Sequence, residues 1–427
     1  MAAVPVQPAP AGEAGIDQRP RTTWPRDLDR DVWVLLLGFF VTNGGYFMVI
    51  PLLTIYTTRD LGLSATVAGL VVATHIGLQK AVQVGCGLLA DKLGRRLMLL
   101  AGLAARSAGL LAFLPAHGTV PVLAAAVVSA VGGAMFGPPI RAGLAARSTP
   151  ENRQSLFVAR SFAATAGASV GPLAGAALAL YDIRAALAAA ALAHLALAGL
   201  VWRHVADLGT EDGADRPTLR GLVRVMTADR LLWRFGALTV LFMVLYSQLI
   251  VALPLHAGQL AGGDSAVAAA ASLFTVNALA CLALQALWLP LAGRVRAGTA
   301  FGMGAAFCAV GAVAAGIAPT LPLLYAAVLV FTVGEVLAFP AADTLVADIA
   351  SPQSLASYYG VFNLAWALGG SLGGAVGGWG LAVVAAHGPA AATPLWLGFL
   401  AIGAVVAVAS QATRWRNTAP PGAAQPA

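Results

Sequence analysis

Apolar residues run in blocks from Val32 almost to the C-terminus, parted by short polar or Gly/Pro-containing breaks. A helix rises about 1.5 Å per residue, so a block of about 20 residues crosses a hydrocarbon layer about 30 Å thick. No water reaches the backbone there, and a helix satisfies its own N–H and C=O groups within the segment. The pattern predicts spans over residues 33–56, 65–90, 97–115, 120–141, 161–180, 185–203, 232–256, 265–290, 298–318, 321–343, 356–385 and 393–412. The fold class expected is an all-α membrane protein of twelve transmembrane helices.

The turns between spans divide into two kinds. Those on one side are short and rich in breakers, such as PAHGTVP at 115–121 and APTLP at 318–322. On the other side a polar connection over 204–231 parts the spans six and six. The expected organisation is a disordered tail over 1–30, a six-helix bundle over 31–203, a linker over 204–231, a second bundle over 232–412 and a tail over 413–427. The halves are related: a shift of 202 positions lays VGGAMFGPP at Val131 on VGEVLAFPA at Val333 without a gap. Pro138 then meets Pro340, Pro150 meets Pro352, Ser155 meets Ser357, and Gly167, Gly171 and Gly175 meet Gly369, Gly373 and Gly377. Spans four and ten run the same way through the bilayer, so the repeat is parallel, with a pseudo-two-fold axis along the membrane normal. Two such bundles enclose a central cavity that opens to alternate sides.

Composition agrees with lipid as the solvent: 59% of the 427 residues are hydrophobic and 10% charged, against roughly 25% charged in soluble domains. The net charge of +7 sets topology and does not point to nucleic acid. With both termini inside, 21 of the 25 Lys and Arg residues fall on inner segments; Arg59 and Arg184 lie outside, and Lys80 and Arg106 lie within spans. Residues 1–30 have no apolar core or cleavage pattern and read as a cytoplasmic tail, not a signal peptide. Cys86, Cys281 and Cys308 all sit in apolar spans without metal-like spacing, so neither a disulfide nor a metal site is expected.

At the inner end of span two stands GLLADKLGRR, with Gly87, Asp91, Lys92, Gly94, Arg95 and Arg96. Asp91 closes one helix at its negative pole, and Arg95 and Arg96 open the next at its positive pole, so these charges oppose the local dipoles. An anchor to anionic lipid needs neither Asp91 nor Gly94. Span five carries GASVGPLAGA, with Gly167, Gly171, Pro172 and Gly175 spaced for close helix approach.

The first stretch resembles the motif G-x-L-A-D-[RK]-x-G-R-[RK] of the major facilitator superfamily, matching every specified position. In that family the aspartate is implicated in contacts between halves that control opening on the inner side. Relatives often carry an acid near the inner end of span four, where this chain has Gly137, which leaves the partner of Arg95 open. The second stretch is similar to the antiporter motif G-P-x-x-G-G, with Ala176 in place of the last glycine. With FGPPIRAGL (136–144), YDIR (181–184) and GEVLAFPAADTL (334–345), residues 30–415 look like the MdtH-type multidrug subgroup of that superfamily. The resemblance implies a monomeric transporter of the bacterial cytoplasmic membrane that exports small lipophilic compounds in exchange for protons. A proton-linked importer of a metabolite keeps the same fold. The chain has no P-loop, no HExxH and no nucleophile with its base, so no cofactor and no enzyme activity are expected, and a membrane enzyme or sensor is the remote alternative.

Polar residues inside spans are costly and mark cavities or partners. His75, Gln79 and Gln83 recur every four residues on span two with Lys80 beside them, which suggests a wet face. Arg106 lies in span three, Asn43 in span one, Asn277 and Gln285 in span eight. Among aromatic residues, Tyr46, Tyr246, Tyr358 and Tyr359 read chiefly as interface anchors, and Trp366 in mid-span eleven as a cavity residue. Glu335 is the one carboxylate well inside a span and the candidate proton carrier; a structural pair with Lys80 or Arg106 is the alternative. Two buried cations against one acid also favour a neutral or anionic substrate.

Overall fold

A computed structural model describes residues 29–206, 208, 218–262, 265–388, 391, 393–413 and 415. Most of both expected tails, and residues 207 and 209–217 of the connection between halves, lie outside the described residues.

The twelve spans are all helical. Span one is Arg30–Ile55, span three Arg95–Ala112, span four Thr119–Ala146, span five Arg153–Ala179 and span six Ile183–His204. In the second half, span eight is Ala266–Ala292, nine Ala297–Gly316, ten Leu321–Ile349, eleven Leu355–His387 and twelve Thr393–Ala412. Two spans are interrupted. Span two runs as Ala65–Ala73, a π-helical turn Thr74–Leu78, a short turn Gln79–Ala81 and then Gln83–Leu93. Span seven pairs Arg230–Tyr246 with Ala252–Ala261 through a 3-10 turn Ser247–Leu249.

Spans four, five and ten extend several residues beyond their apolar blocks. Hydropathy alone ends a span at its first charges, whereas these helices continue because the charges find partners on the facing half. The connection between halves also contains a helix, Leu219–Ala228, whose Leu222 and Met226 are buried.

The repeat seen in the sequence recurs in the packing. A Cβ on Gly102 of span three would stand 2.9 Å from the Gly132 carbonyl of span four, and one on Gly304 would stand 2.7 Å from the Gly334 carbonyl. Gly109 meets the backbone of Ser129 as Gly311 meets that of Phe331. The glycines of span five lie on span one in the same way: Gly167 against Phe40, Gly171 against Gly44, Gly175 against Met48. Their counterparts Gly369, Gly373 and Gly377 lie on Val240, Val244 and Gln248 of span seven. Small residues let backbones approach closely, and in lipid that dispersion contact is a main source of helix association.

Spans five and eleven share an asymmetry along their length. Leu156, Phe157 and Val158 are buried at the end of span five near Asp91, while Val170 and Leu173 further along are exposed. Tyr358 and Tyr359 are buried near the same end of span eleven, whereas Leu368, Leu372 and Trp379 are exposed. The halves close on each other at the Asp91 end.

Candidate functional site

Asp91 ends span two as a buried acid, 3% exposed. Its carboxylate reaches across to the start of span eleven. Oδ2 accepts from the Ser357 backbone N–H and from its hydroxyl, each at 2.7 Å, and Oδ1 accepts from the Ala356 N–H at 3.2 Å. The acid therefore caps the positive pole of a helix in the opposite half. That contact offsets its unfavourable place at the negative end of its own helix. Gly87 allows the approach, since a Cβ there would stand 2.4 Å from the Ala356 carbonyl.

Arg95 completes the cluster. Its Nε donates to Asp91 at 3.0 Å, Nη1 donates to the Leu208 carbonyl at 3.2 Å, and Nη2 donates to the Pro352 carbonyl of the other half. The missing acid at Gly137 therefore leaves no gap, because Asp91 and two carbonyls serve the guanidinium. Arg96 donates to the Val205 and Trp202 carbonyls at 2.8 and 2.7 Å and so caps the negative pole of span six. Gly94 turns the chain between the two helices at φ +113°, a conformation open to glycine. Lys92 is exposed.

The repeat is broken at this point. Ser155 is the counterpart of Ser357, and the residue facing it is Gly293, the counterpart of Asp91, whose Cβ would stand 3.3 Å from the Ser155 hydroxyl. One half supplies a capping acid and the other a hydrogen.

A second set of charges lies beside the first. Arg160 of span five pairs with Asp343 of span ten, Arg153 pairs with Asp348, and Arg141 of span four lies 3.9 Å from Asp343. Arg141 also donates to Asn363 of span eleven at 2.8 Å. The positive-inside pattern accounted for these arginines, which hid their pairing. The available signal was Asp343 and Asp348 at the basic end of span ten, where topology gives no reason for acids.

Towards mid-membrane each half holds one polar cluster. In the first, Arg106 is 1% exposed and donates to Gln79 Oε1 at 3.3 Å. Its guanidinium lies 5.6 Å from the Tyr46 ring centre and 5.9 Å from that of Phe136. His75 is wholly buried beside Tyr46, with ring centres 6.1 Å apart. In the second, Glu335 accepts from Asn277 at 2.9 Å and from the Tyr246 hydroxyl at 3.3 Å, and Asn277 also donates to Thr332. Lys80 lies 4.7 Å from the Trp366 ring across the interface between halves.

Several expectations change here. Glu335 pairs with neutral groups of its own half, not with Lys80 or Arg106. His75 and Gln83 are buried, whereas Gln79 and Lys80 are half-buried, so the face is enclosed only in part; the π-helical turn and the break at Val82 alter the four-residue phase. Tyr358 and Tyr359 are not bilayer anchors: both are buried, and their hydroxyls donate to Asp229 and to the Asp343 carbonyl. Asn43 donates to the Phe39 carbonyl of its own helix. The span-five glycines face span one, whereas Pro172 and Ala176 point away and are exposed.

Residues 35–374 match the family model described as Major Facilitator Superfamily. The chain belongs to that superfamily. Among curated proteins it is 30% identical to the multidrug resistance protein MdtH of Edwardsiella ictaluri (strain 93-146), covering 81% of this chain and 85% of that one. It is 31% identical to the MdtH of Enterobacter sp. (strain 638) over the same shares. Among solved structures it superposes on the human organic anion transporter MFSD10 (TETRAN), with TM-score 0.72, 18% identity and 88% and 99% of the two chains covered. The fucose transporter FucP in its outward conformation gives TM-score 0.69 at 15% identity, covering 89% and 97%. This major facilitator protein is thus a multi-pass membrane transporter of small molecules, built as two six-helix bundles related by a parallel repeat.

Proposed function

We propose that this transporter exports small, largely lipophilic compounds across the bacterial cytoplasmic membrane in exchange for protons, by alternating access. Its MdtH relatives carry the name multidrug resistance protein, which supports export over uptake. The positive-inside distribution supports cytoplasmic termini, and with them a cytoplasmic Asp91 end. The contacts there then describe a state closed to the cytoplasm. One chain contains both bundles, so a monomer suffices.

The observation that carries proton coupling is the setting of Glu335. It is embedded at mid-span and hydrogen-bonded to Asn277 and Tyr246, and no ion pair to a cation is found for it among the described residues. A carboxyl group with neutral partners can be held protonated or ionised, and a change in access to water shifts the balance. The test uses everted vesicles, in which a proton gradient should drive accumulation of a fluorescent neutral or anionic drug. Glu335→Gln should abolish that accumulation and leave drug binding in place. Wild-type proton release on drug addition in Glu335→Gln would refute the assignment, and drug uptake into right-side-out vesicles alone would favour the importer.

A further inference from the structure

The two mid-membrane clusters are the same place in the two repeats, carrying opposite charge. The 202-residue register lays His75 on Asn277, Gln79 on Cys281, Arg106 on Cys308 and Gly133 on Glu335. The packing supports it, because Gly132 meets the Arg106 backbone as Gly334 meets that of Cys308. Tyr46 and Tyr246 complete the match, since spans one and seven pair at an offset of 200 through Phe40 with Val240 and Gly44 with Val244. One half therefore places a cation where the other places an acid.

The two are not equally satisfied. Glu335 has side-chain donors in Asn277, Cys281 and Tyr246, whereas Arg106 Nε and Nη2 have no hydrogen-bond partner, and neither ring nitrogen of His75 has one. No acid forms an ion pair with Arg106 among the described residues. A buried cation with open donors is costly in a membrane, where water does not replace the missing acceptor. Gly133 leaves room for the guanidinium: a Cβ there would stand 2.3 Å from Nη1. With Nη1 directed to Gln79, the free groups Nε and Nη2 form one edge of the guanidinium. That edge matches the two oxygens of a carboxylate.

We propose that Arg106 is a substrate-binding residue that takes the carboxylate of the transported molecule on its Nε/Nη2 edge, with Tyr46 and His75 lining the seat. The proposal rests on the export reading for the word substrate and adds its chemical class, lipophilic molecules bearing one carboxylate. Access is short. Tyr46 and Gln79 are half-buried, and the next residue, Lys80, already reaches Trp366 of the other half. Arg106 in one bundle and Glu335 in the other then separate anion recognition from proton carriage.

The test is equilibrium binding to the full-length protein in lipid nanodiscs, which needs neither a gradient nor a direction. The probes are pyrenebutyrate, 1-naphthoate and diphenylacetate, each beside its methyl ester. The wild type should bind at least one acid about tenfold or more tightly than its ester. Arg106→Gln should remove the preference, and Arg106→Lys should restore only part of it, because an ammonium lacks the fork. Gly133→Ala keeps the charge but displaces the guanidinium, and it serves where Arg106→Gln does not fold. Absence of acid preference for every pair in the wild type, or its survival in Arg106→Gln or in Gly133→Ala, would overturn the proposal. Glu335→Gln should keep the preference, so failure of proton-driven export with acid binding intact would count against the coupling reading alone.

Discussion

Asp91 shows how a residue that looks misplaced in its own helix is placed correctly in the molecule. Its charge stands at the negative end of span two, yet its oxygens accept the first N–H groups of span eleven. A charge near a helix terminus is worth about 0.3–1 kcal/mol when exposed and up to about 2 kcal/mol when partly buried. Asp91→Asn keeps the size but loses the charge, and leaves Arg95 facing only carbonyls. The closed state should lose about 1–2 kcal/mol relative to the open one, roughly a tenfold shift in their ratio. Drug flux should fall with full-length protein still in the membrane, and wild-type flux at wild-type abundance would reduce the motif to a lipid anchor. The sequence marked Asp91 as unusual because its dipole relation was wrong. It did not reveal the partner, which lies 266 residues away.

Elements follow the same division. The span-five glycines were legible as a close-packing face from their spacing, and the structure supplies the surface they meet, the backbone of span one. Ala176 departs from the family motif without consequence for this contact, because it faces away from span one. Gly171 has no such freedom: a Cβ there would stand 2.3 Å from the Gly44 carbonyl oxygen. Gly171→Leu should force spans one and five apart and destabilise the first bundle by about 1–3 kcal/mol or more, the usual range for overpacking. Ala176→Leu should change stability by less than about 0.5 kcal/mol. Thermal unfolding in detergent distinguishes the two, and equal melting of both variants would remove the packing role of the motif. The π-helical turn in span two was not legible, because Thr74–Leu78 contains no proline and no unusual polar run.

At the scale of the whole molecule, the contacts between halves named above gather between mid-membrane and the Asp91 end. Arg153 with Asp348 and Arg160 with Asp343 tie spans five and ten there. Alternating access requires those ties to part in each cycle. Arg153→Cys with Asp348→Cys, joined by a flexible bifunctional thiosulfonate, should hold that end closed and arrest transport, and reduction should restore it. The native Cys86, Cys281 and Cys308 are buried, and single-cysteine controls account for any reaction at them. Transport that continues with the linker in place would show that these helices do not separate.

The sequence by itself determined the spans, their number, the parallel repeat and the motif at the end of span two. Each of those depends on local composition or on spacing along the chain: helices satisfy their own backbone in lipid, and a repeat is visible by shifting the chain against itself. Only the tertiary structure decided the partners. Which carbonyls serve Arg95, which acids meet Arg141, Arg153 and Arg160, and which cluster leaves Arg106 open all depend on where the two halves place their side chains. Those pairings join residues far apart in the chain, and a charge in lipid is stabilised by whichever opposite group the fold brings within a few ångströms.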